Sequence, residues 1–287
     1  MHFLDPADRV DQAFFLLILA FIVFAAGGPI MKIPLFGRSS ALMSYSKFAK
    51  ASKMAQVSSR FGMSVLYAPS SILGGIVHLH LASTDLGKLA ALMMFLHFGK
   101  RTLECNFIHK FSGTMPLATS FFISLIYCVA STTVCYYGEA VGKVRSGEEH
   151  RCCQIRHSSF LNVTVAFSLQ LVPINTSILQ TPLLLFAIGL LGNLYHHHLL
   201  AILRKPGEKG YKIPMGGLFP FVAAPHYLFE LVGWCGVAVL CNHATVWFMF
   251  FGMVAYLADR ARAQTAYNLK KIDGYPEERR HIVPFLF

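Results

Sequence analysis

A chain of 287 residues that is 55% hydrophobic and 14% charged departs from the roughly one-quarter charged composition of a soluble domain. It reads as one integral membrane bundle, because only internally hydrogen-bonded elements tolerate so apolar a setting. The excess of 25 Lys and Arg over 14 Asp and Glu suits anionic lipid or an anionic small molecule, and membrane character makes nucleic acid the poorest partner. Seven cysteines lie without CxxC or zinc-ribbon spacing and read as buried thiols, with no disulfide framework.

A spanning helix takes about 20 mostly apolar residues. Seven segments qualify: 13–30, 61–82, 88–107, 115–137, 179–203, 219–241 and 243–257. The first lacks a basic n-region and a small-x-small cleavage site, so a retained span is expected instead of a removed signal peptide. Residues 160–172 are apolar but short and end at Pro173, which leaves a partial helix, an extra span and an interfacial segment open. The most polar loops are 138–157 and 205–217. No repeat or composition break marks a second domain. The expected fold is therefore an all-α integral membrane protein, 1–287 forming a single polytopic domain of about seven transmembrane helices.

Loop charges test that topology. With the N-terminus away from the cytosol, nineteen of the 25 basic residues fall on cytosolic loops and the C-terminal tail, the positive-inside bias. The C-terminus is then cytosolic. Both glycosylation sequons, Asn162-Val-Thr and Asn175-Thr-Ser, fall on the outer side.

The polar residues that remain are few. His196, His197 and His198 are consecutive, about 100° apart on a helix, so one helix cannot aim all three at one metal. His78 and His80 have no third group nearby in sequence, and no metal site is expected. The stretch "RKPGEKGYKIPMGG" places Arg204, Lys205, Tyr211 and Lys212 between Gly and Pro turns. Two readings stay open for it: a solvated basic loop, or a clamp in which forked Arg meets phosphate oxygens and Tyr stacks on a base or nicotinamide. Neither GxGxxG nor GxxxxGK[ST] occurs, so Rossmann and P-loop sites are not indicated. Lys100-Arg101 reads as a basic helix flank, and Glu104 stands four residues after Lys100, within pairing distance on one helix face.

"GNLYHHHLLAILRKPGEKGYKIPMGGLF", "PHYLFELVGW" and the tail "YPEERRHIVPFLF" closely resemble the C-terminal half of the steroid 5α-reductase family. That family includes steroid 5α-reductases, trans-2-enoyl-CoA reductases and polyprenol reductases. "HFGKRTLECNFIHKFSGTMPL" (97–117) looks most like the enoyl-CoA branch and its plant relatives. The resembling C-terminal region runs from about 88 to 287, with an unmatched insertion at about 138–181.

The resemblance implies a seven-span bundle holding NADPH in a cytosol-facing cavity, in the endoplasmic reticulum membrane. It implies cofactor contacts at Asn193, His197, Arg204, Tyr211, Lys212, His226, Glu230 and Arg260, with Trp234 packing beside them. Lys212 stands where steroid reductases have Arg, His197 where they carry an acid, His226 where they carry Asn, and Asn268 replaces a tyrosine. The Glu and Tyr that hold a 3-oxo group correspond to Tyr67 and Phe98. The enoyl-CoA branch shares Lys100, to polarise a thioester carbonyl or hold a phosphate, and Tyr227, to deliver a proton. Tyr67 is a third catalytic candidate. The implied activity is NADPH-dependent reduction of the C=C bond of an α,β-unsaturated carbonyl lipid, either a 3-oxo-Δ4 steroid or a trans-2-enoyl-CoA. Expected partners are that lipid substrate, membrane lipid and other lipid-synthesis enzymes. Alternatives are a membrane methyltransferase of isoprenylcysteine type and a non-catalytic lipid-binding relative.

Overall fold

The computed structural model describes residues 12, 13, 16, 55–111, 113–146, 176–203 and 210–287. The expected first span beyond Ala13 and Leu16, the segment 160–172, Asn162, Asn175 and Arg204 lie outside the described residues.

Helix α1, Ser59–Leu81, starts where the Ser58 hydroxyl accepts from the Phe61 N–H at 3.3 Å, the usual way an orphan N-terminal donor is satisfied. It widens into π turns over Ser71–Val77 just after the internal Pro69, whose ring removes a backbone donor. Helix α2, Asp85–Leu103, is capped by Thr84, whose hydroxyl accepts from Gly87 N–H at 3.0 Å; it continues in π turns over Glu104–Ile108. Helix α3 spans Leu117–Ser146, α4 Thr176–Ile202, α5 Pro225–Cys241 and α6 Ala244–Lys271. Among the described residues, Ser59–Leu81, Leu117–Ser146 and Leu179–Ile202 are long and apolar enough to cross a membrane.

Three expectations need correction. The fold is mostly helical, yet two three-residue strands, β1 (Gln56–Ser58) and β2 (Thr114–Pro116), form an antiparallel ribbon with Val57 opposite Met115. The expected loop at 138–157 begins as helix, because Glu139 on α3 reaches back to the α2 N-terminus and accepts from Thr84 N–H at 3.1 Å and Thr84 Oγ1 at 2.9 Å. A carboxylate is stabilised beside the free donors of a helix start. The expected span 219–241 is helical only from Pro225, a residue preorganised for the first helical position. Residues 219–224 instead turn and bridge to the C-terminal tail through Ala223 N–H to Arg280 O at 2.8 Å and Arg280 N–H to Phe221 O at 3.0 Å.

Helices α4 and α5 make the most extensive pairing, and α3 packs on α1 and α2. The α4–α5 crossing is close because a Cβ on Gly189 would lie 2.2 Å from the Gly233 nitrogen. Asn242, in the left-handed conformation at φ 44°, ends α5, and His243 caps α6 by accepting from Thr245 N–H at 3.2 Å. The tail is pinned by a small apolar cluster of Ala224, Leu257, Ala261 and Ile282. The larger core, with Tyr67, Phe98, Tyr137 and Trp234, borders the cavity described next.

Candidate functional site

Between α1, α2, α3, α4, α5 and α6 lies a cavity of about 400 Å³. Its walls are apolar along α3 and α6, with Ile123, Ile126, Met249 and Met253 among them. Its polar groups come from five helices. α1 contributes Tyr67, α2 His97 and Arg101, α4 Asn193 and His197, α5 His226, Tyr227 and Glu230, and α6 Arg260 and Gln264. An apolar cavity with a few convergent polar groups is the general form of a small-molecule site.

Tyr67, His97, Arg101, Asn193, His197 and Glu230 belong to one network centred on Glu104, which is 1% exposed. Its carboxylate accepts from Lys100 Nζ at 3.0 Å and from Arg101 at 2.8 Å, and lies 3.1 Å from His197 Nδ1. Lys100 also donates to the Asn193 side-chain oxygen. The Asn193 amide nitrogen donates in turn to the His226 carbonyl at 2.9 Å and to Glu230 Oε2 at 3.0 Å. Glu230 Oε1 lies 3.3 Å from His97 Nε2 and accepts from Trp234 Nε1 at 3.4 Å. On the other side Arg101 donates to the Tyr67 hydroxyl at 2.8 Å. Two carboxylates facing Lys100 and Arg101 keep the buried charges paired, which a low-dielectric setting requires.

The three histidines of the triplet meet three different fates. His196 Nδ1 lies 2.7 Å from its own-helix Gly192 carbonyl, and Nε2 accepts from Leu218 N–H at 3.1 Å. That pairing puts the proton on Nδ1 and locks the 210–218 loop onto α4. Gly217 makes the lock possible, since its φ is +51° and a Cβ there would lie 2.5 Å from His196 Nε2. His197 turns into the network, and His198 is exposed.

The ligand atoms of Glu104, His109 and His197 lie within 4.8 Å of one another, close enough to suggest a cation site. Arg101 already stands against two of them, 2.8 Å from Glu104 Oε2 and 2.9 Å from His197 Nδ1. The guanidinium supplies there the positive charge a metal would bring.

Of the residues expected from the sequence, Tyr67, Asn193, His197, His226, Tyr227, Glu230, Trp234 and Arg260 converge on the cavity. Lys100 does not line it and is linked to it through Asn193 and, by way of Glu104, through Arg101 and His197. Tyr211 and Lys212 lie on the 210–218 loop away from the cavity wall; Tyr211 is 48% exposed with its ring 5.3 Å from Tyr267. Arg204 is outside the described residues. Sequence reasoning missed Arg101, His97 and Gln264 as cavity residues and Glu104 as the hub. The available signal was four ionisable groups, His97, Lys100, Arg101 and Glu104, inside one apolar segment, since charges at membrane depth are functional by default.

The loop is held from below by the tail. Arg279, 5% exposed, donates to the Pro214 carbonyl at 3.0 Å and stacks over Tyr275 at 5.2 Å.

Comparison with known proteins bears on the C-terminal part. Residues 157–287 match the family described as 3-oxo-5-alpha-steroid 4-dehydrogenase. The chain is 41% identical to 3-oxo-5-alpha-steroid 4-dehydrogenase 1 of Homo sapiens over 103 residues, 36% of this chain and 40% of that protein. It is 44% identical to the Mus musculus protein of the same description over 103 residues, with the same shares of each chain. It is 39% identical to the steroid 5-alpha-reductase DET2 of Gossypium hirsutum over 106 residues, 37% of this chain and 41% of that one. The matches thus span about two fifths of the length of these relatives.

Proposed function

We propose, from the premise that residues 157–287 belong to the 3-oxo-5-alpha-steroid 4-dehydrogenase family, that this chain reduces a C=C bond conjugated to a carbonyl in a lipid. The observation that carries the reading is the convergence of eight expected residues from four separate helices on one apolar cavity. The printed activities of the relatives favour a 3-oxo steroid as substrate. The enoyl thioester remains a second substrate class, supported by Lys100 and Tyr227.

The residues present fit NADPH. Asn193 and Glu230 offer an amide and a carboxylate 3.0 Å apart at the polar end, suited to a carboxamide-bearing ring, and Trp234 and Tyr227 supply aromatic faces. Arg260 at the cavity would hold its phosphates, and Arg204, Tyr211 and Lys212 are the further contacts that the family resemblance implies. When bound, NADPH supplies a hydride equivalent to the β-carbon. The apolar walls exclude water from the reacting carbon. Lys100, half-buried between Glu104 and Asn193, holds the Asn193 carboxamide in register. Tyr227, beside His226 at 4.3 Å between ring centroids, gives the proton that the α-carbon needs. The chain sits in the endoplasmic reticulum membrane as a seven-span bundle with its cavity and C-terminus toward the cytosol, a topology supported by the distribution of basic residues.

The test uses the full chain in nanodiscs, following NADPH absorbance with a 3-oxo-Δ4 steroid and, separately, with a trans-2-enoyl-CoA. Oxidation with the steroid is expected. Absence of NADPH binding would overturn the reading.

A further inference from the structure

The tail that follows α6 closes a turn whose tip stands out from the fold. Ile282 N–H and Val283 N–H both donate to the Phe287 carbonyl, at 2.8 and 2.9 Å, and Phe287 N–H donates to the Val283 carbonyl at 3.1 Å. These bonds hold Phe285 at φ +66°, in the left-handed region, where a bulky L residue is strained. Such strain persists only where the surroundings impose it, and it marks segments with a task. Here it leaves Phe285 80% and Leu286 83% exposed, above a buried Ile282.

The surroundings of the tip are apolar and cationic. The exposed Phe221 ring lies 6.0 Å from that of Phe285, between centroids. The Arg262 guanidinium stands 4.8 Å over the Phe287 ring. Arg280 is exposed, and its backbone N–H donates to the Phe221 carbonyl at 3.0 Å. The exposed acids of the tail, Asp273, Glu277 and Glu278, come earlier and lie outside this turn. The chain between Ile202 and Pro225 joins α5 to α4, whose residues Leu179–Ile202 are long and apolar enough to cross a membrane. The tail is bonded to that connection at Pro214, Phe221, Ala223 and Ala224. The tip therefore lies at the end of the bundle where these helices leave the bilayer.

We infer that Phe285 and Leu286 are an interfacial anchor that inserts among the headgroups of an anionic leaflet, with Arg262 and Arg280 pairing with lipid phosphates. Apolar side chains flanked by cations suit the boundary between headgroups and acyl chains, where the apolar part leaves water and the charge stays in it. Arginines at such a surface are drawn to anionic lipid. A protein partner fits less well, since a stable interface takes roughly 800 Å² from each side and this tip offers a few side chains. The anchor is separate from the reaction proposed above, because none of these four residues lines the cavity.

The experiment uses the full chain in nanodiscs of phosphatidylcholine, with or without phosphatidylserine. Phe285→Trp is read as emission in excess of that from the two native tryptophans. With phosphatidylserine, the added emission is expected to be blue-shifted and quenched by lipids brominated near the headgroup end of the acyl chain. Phosphatidylcholine alone, or Arg262→Gln combined with Arg280→Gln, should roughly halve that quenching, because the cations help hold the tip at the surface. Leu286→Trp repeats the reading at the neighbouring exposed position if Phe285→Trp disturbs the strained turn. Water-like emission at both positions overturns the anchor. Blue-shifted emission without quenching places the tip against protein, a second copy of this chain included, and overturns it as well. Equal quenching in both lipid mixtures and in the double arginine variant overturns the assignment to anionic lipid.

Discussion

Glu104 is the residue on which most of the buried charge depends. Replacing it with Gln leaves Lys100 and Arg101 facing one carboxylate fewer. Removing one partner of a buried pair costs about 3–5 kcal/mol, so Glu104→Gln should lower the unfolding midpoint in detergent well below that of the wild type. Asn193 is the other junction, bonded to Lys100, the His226 carbonyl and Glu230. Asn193→Ala should raise the NADPH Kd about tenfold, roughly the 1.4 kcal/mol of an unmade buried hydrogen bond, as read by titration of cofactor fluorescence. His109 gives a pH signature. Burial first, then the neighbouring His197 and Arg101, push it down to about 3, against about 6.5 in an unfolded chain. The unfolded state therefore takes up the proton first, and stability falls as pH drops from about 6.5 toward 3. The wild-type midpoint should fall more between pH 7.5 and pH 5 than that of His109→Asn; equal falls would remove His109 as the source.

At the scale of elements, the site depends on how closely α4 and α5 approach. Asn193 and Glu230 bond where Gly189, one turn before Asn193, and Gly233, one turn after Glu230, let the two backbones touch. A Cβ at Gly189 would meet Gly233 backbone at 2.2 and 2.4 Å, atoms that cannot rotate away. Gly189→Ala should cost about 1–3 kcal/mol as overpacking and weaken NADPH binding in parallel, although the residue lies outside the cavity lining. A variant with lowered stability and unchanged cofactor affinity would show that the α4–α5 distance does not set the site. The 210–218 loop is positioned from both sides, by His196 on α4 and by Arg279 in the tail. That ties the 210–218 loop to a tail residue 65 positions away from Pro214.

For the molecule as a whole, the cavity combines apolar walls from α3 and α6 with a polar end from α2, α4 and α5, the form needed to hold a lipid against a polar cofactor. Tyr227→Phe is expected to reduce turnover by about 10²-fold, a general-acid contribution, while NADPH affinity stays within about twofold. Stopped-flow reduction and cofactor titration on the same preparation would check both, and unchanged turnover would remove Tyr227 as the acid.

Composition and hydrophobic runs by themselves determined the helical membrane character. The described helices overlap six of the seven expected segments, and three of them, over Ser59–Leu81, Leu117–Ser146 and Leu179–Ile202, are long and apolar enough to cross a membrane, a length of apolar chain that has few other stable forms in a bilayer. Motifs in the C-terminal half that resemble the steroid 5α-reductase family also pointed to Asn193, His226, Tyr227, Glu230 and Trp234, which line the cavity. Only tertiary structure decided what the charges of α2 do. As a linear string, Lys100-Arg101 is indistinguishable from a basic flank, since a charge beside a helix end and a charge in a buried network have the same local sequence. The partners that separate the two, Tyr67, Asn193 and His197, lie 34, 93 and 96 residues from them. The same holds for the histidine triplet, because 100° of helical rotation assigns neighbours to different faces without naming what each face meets.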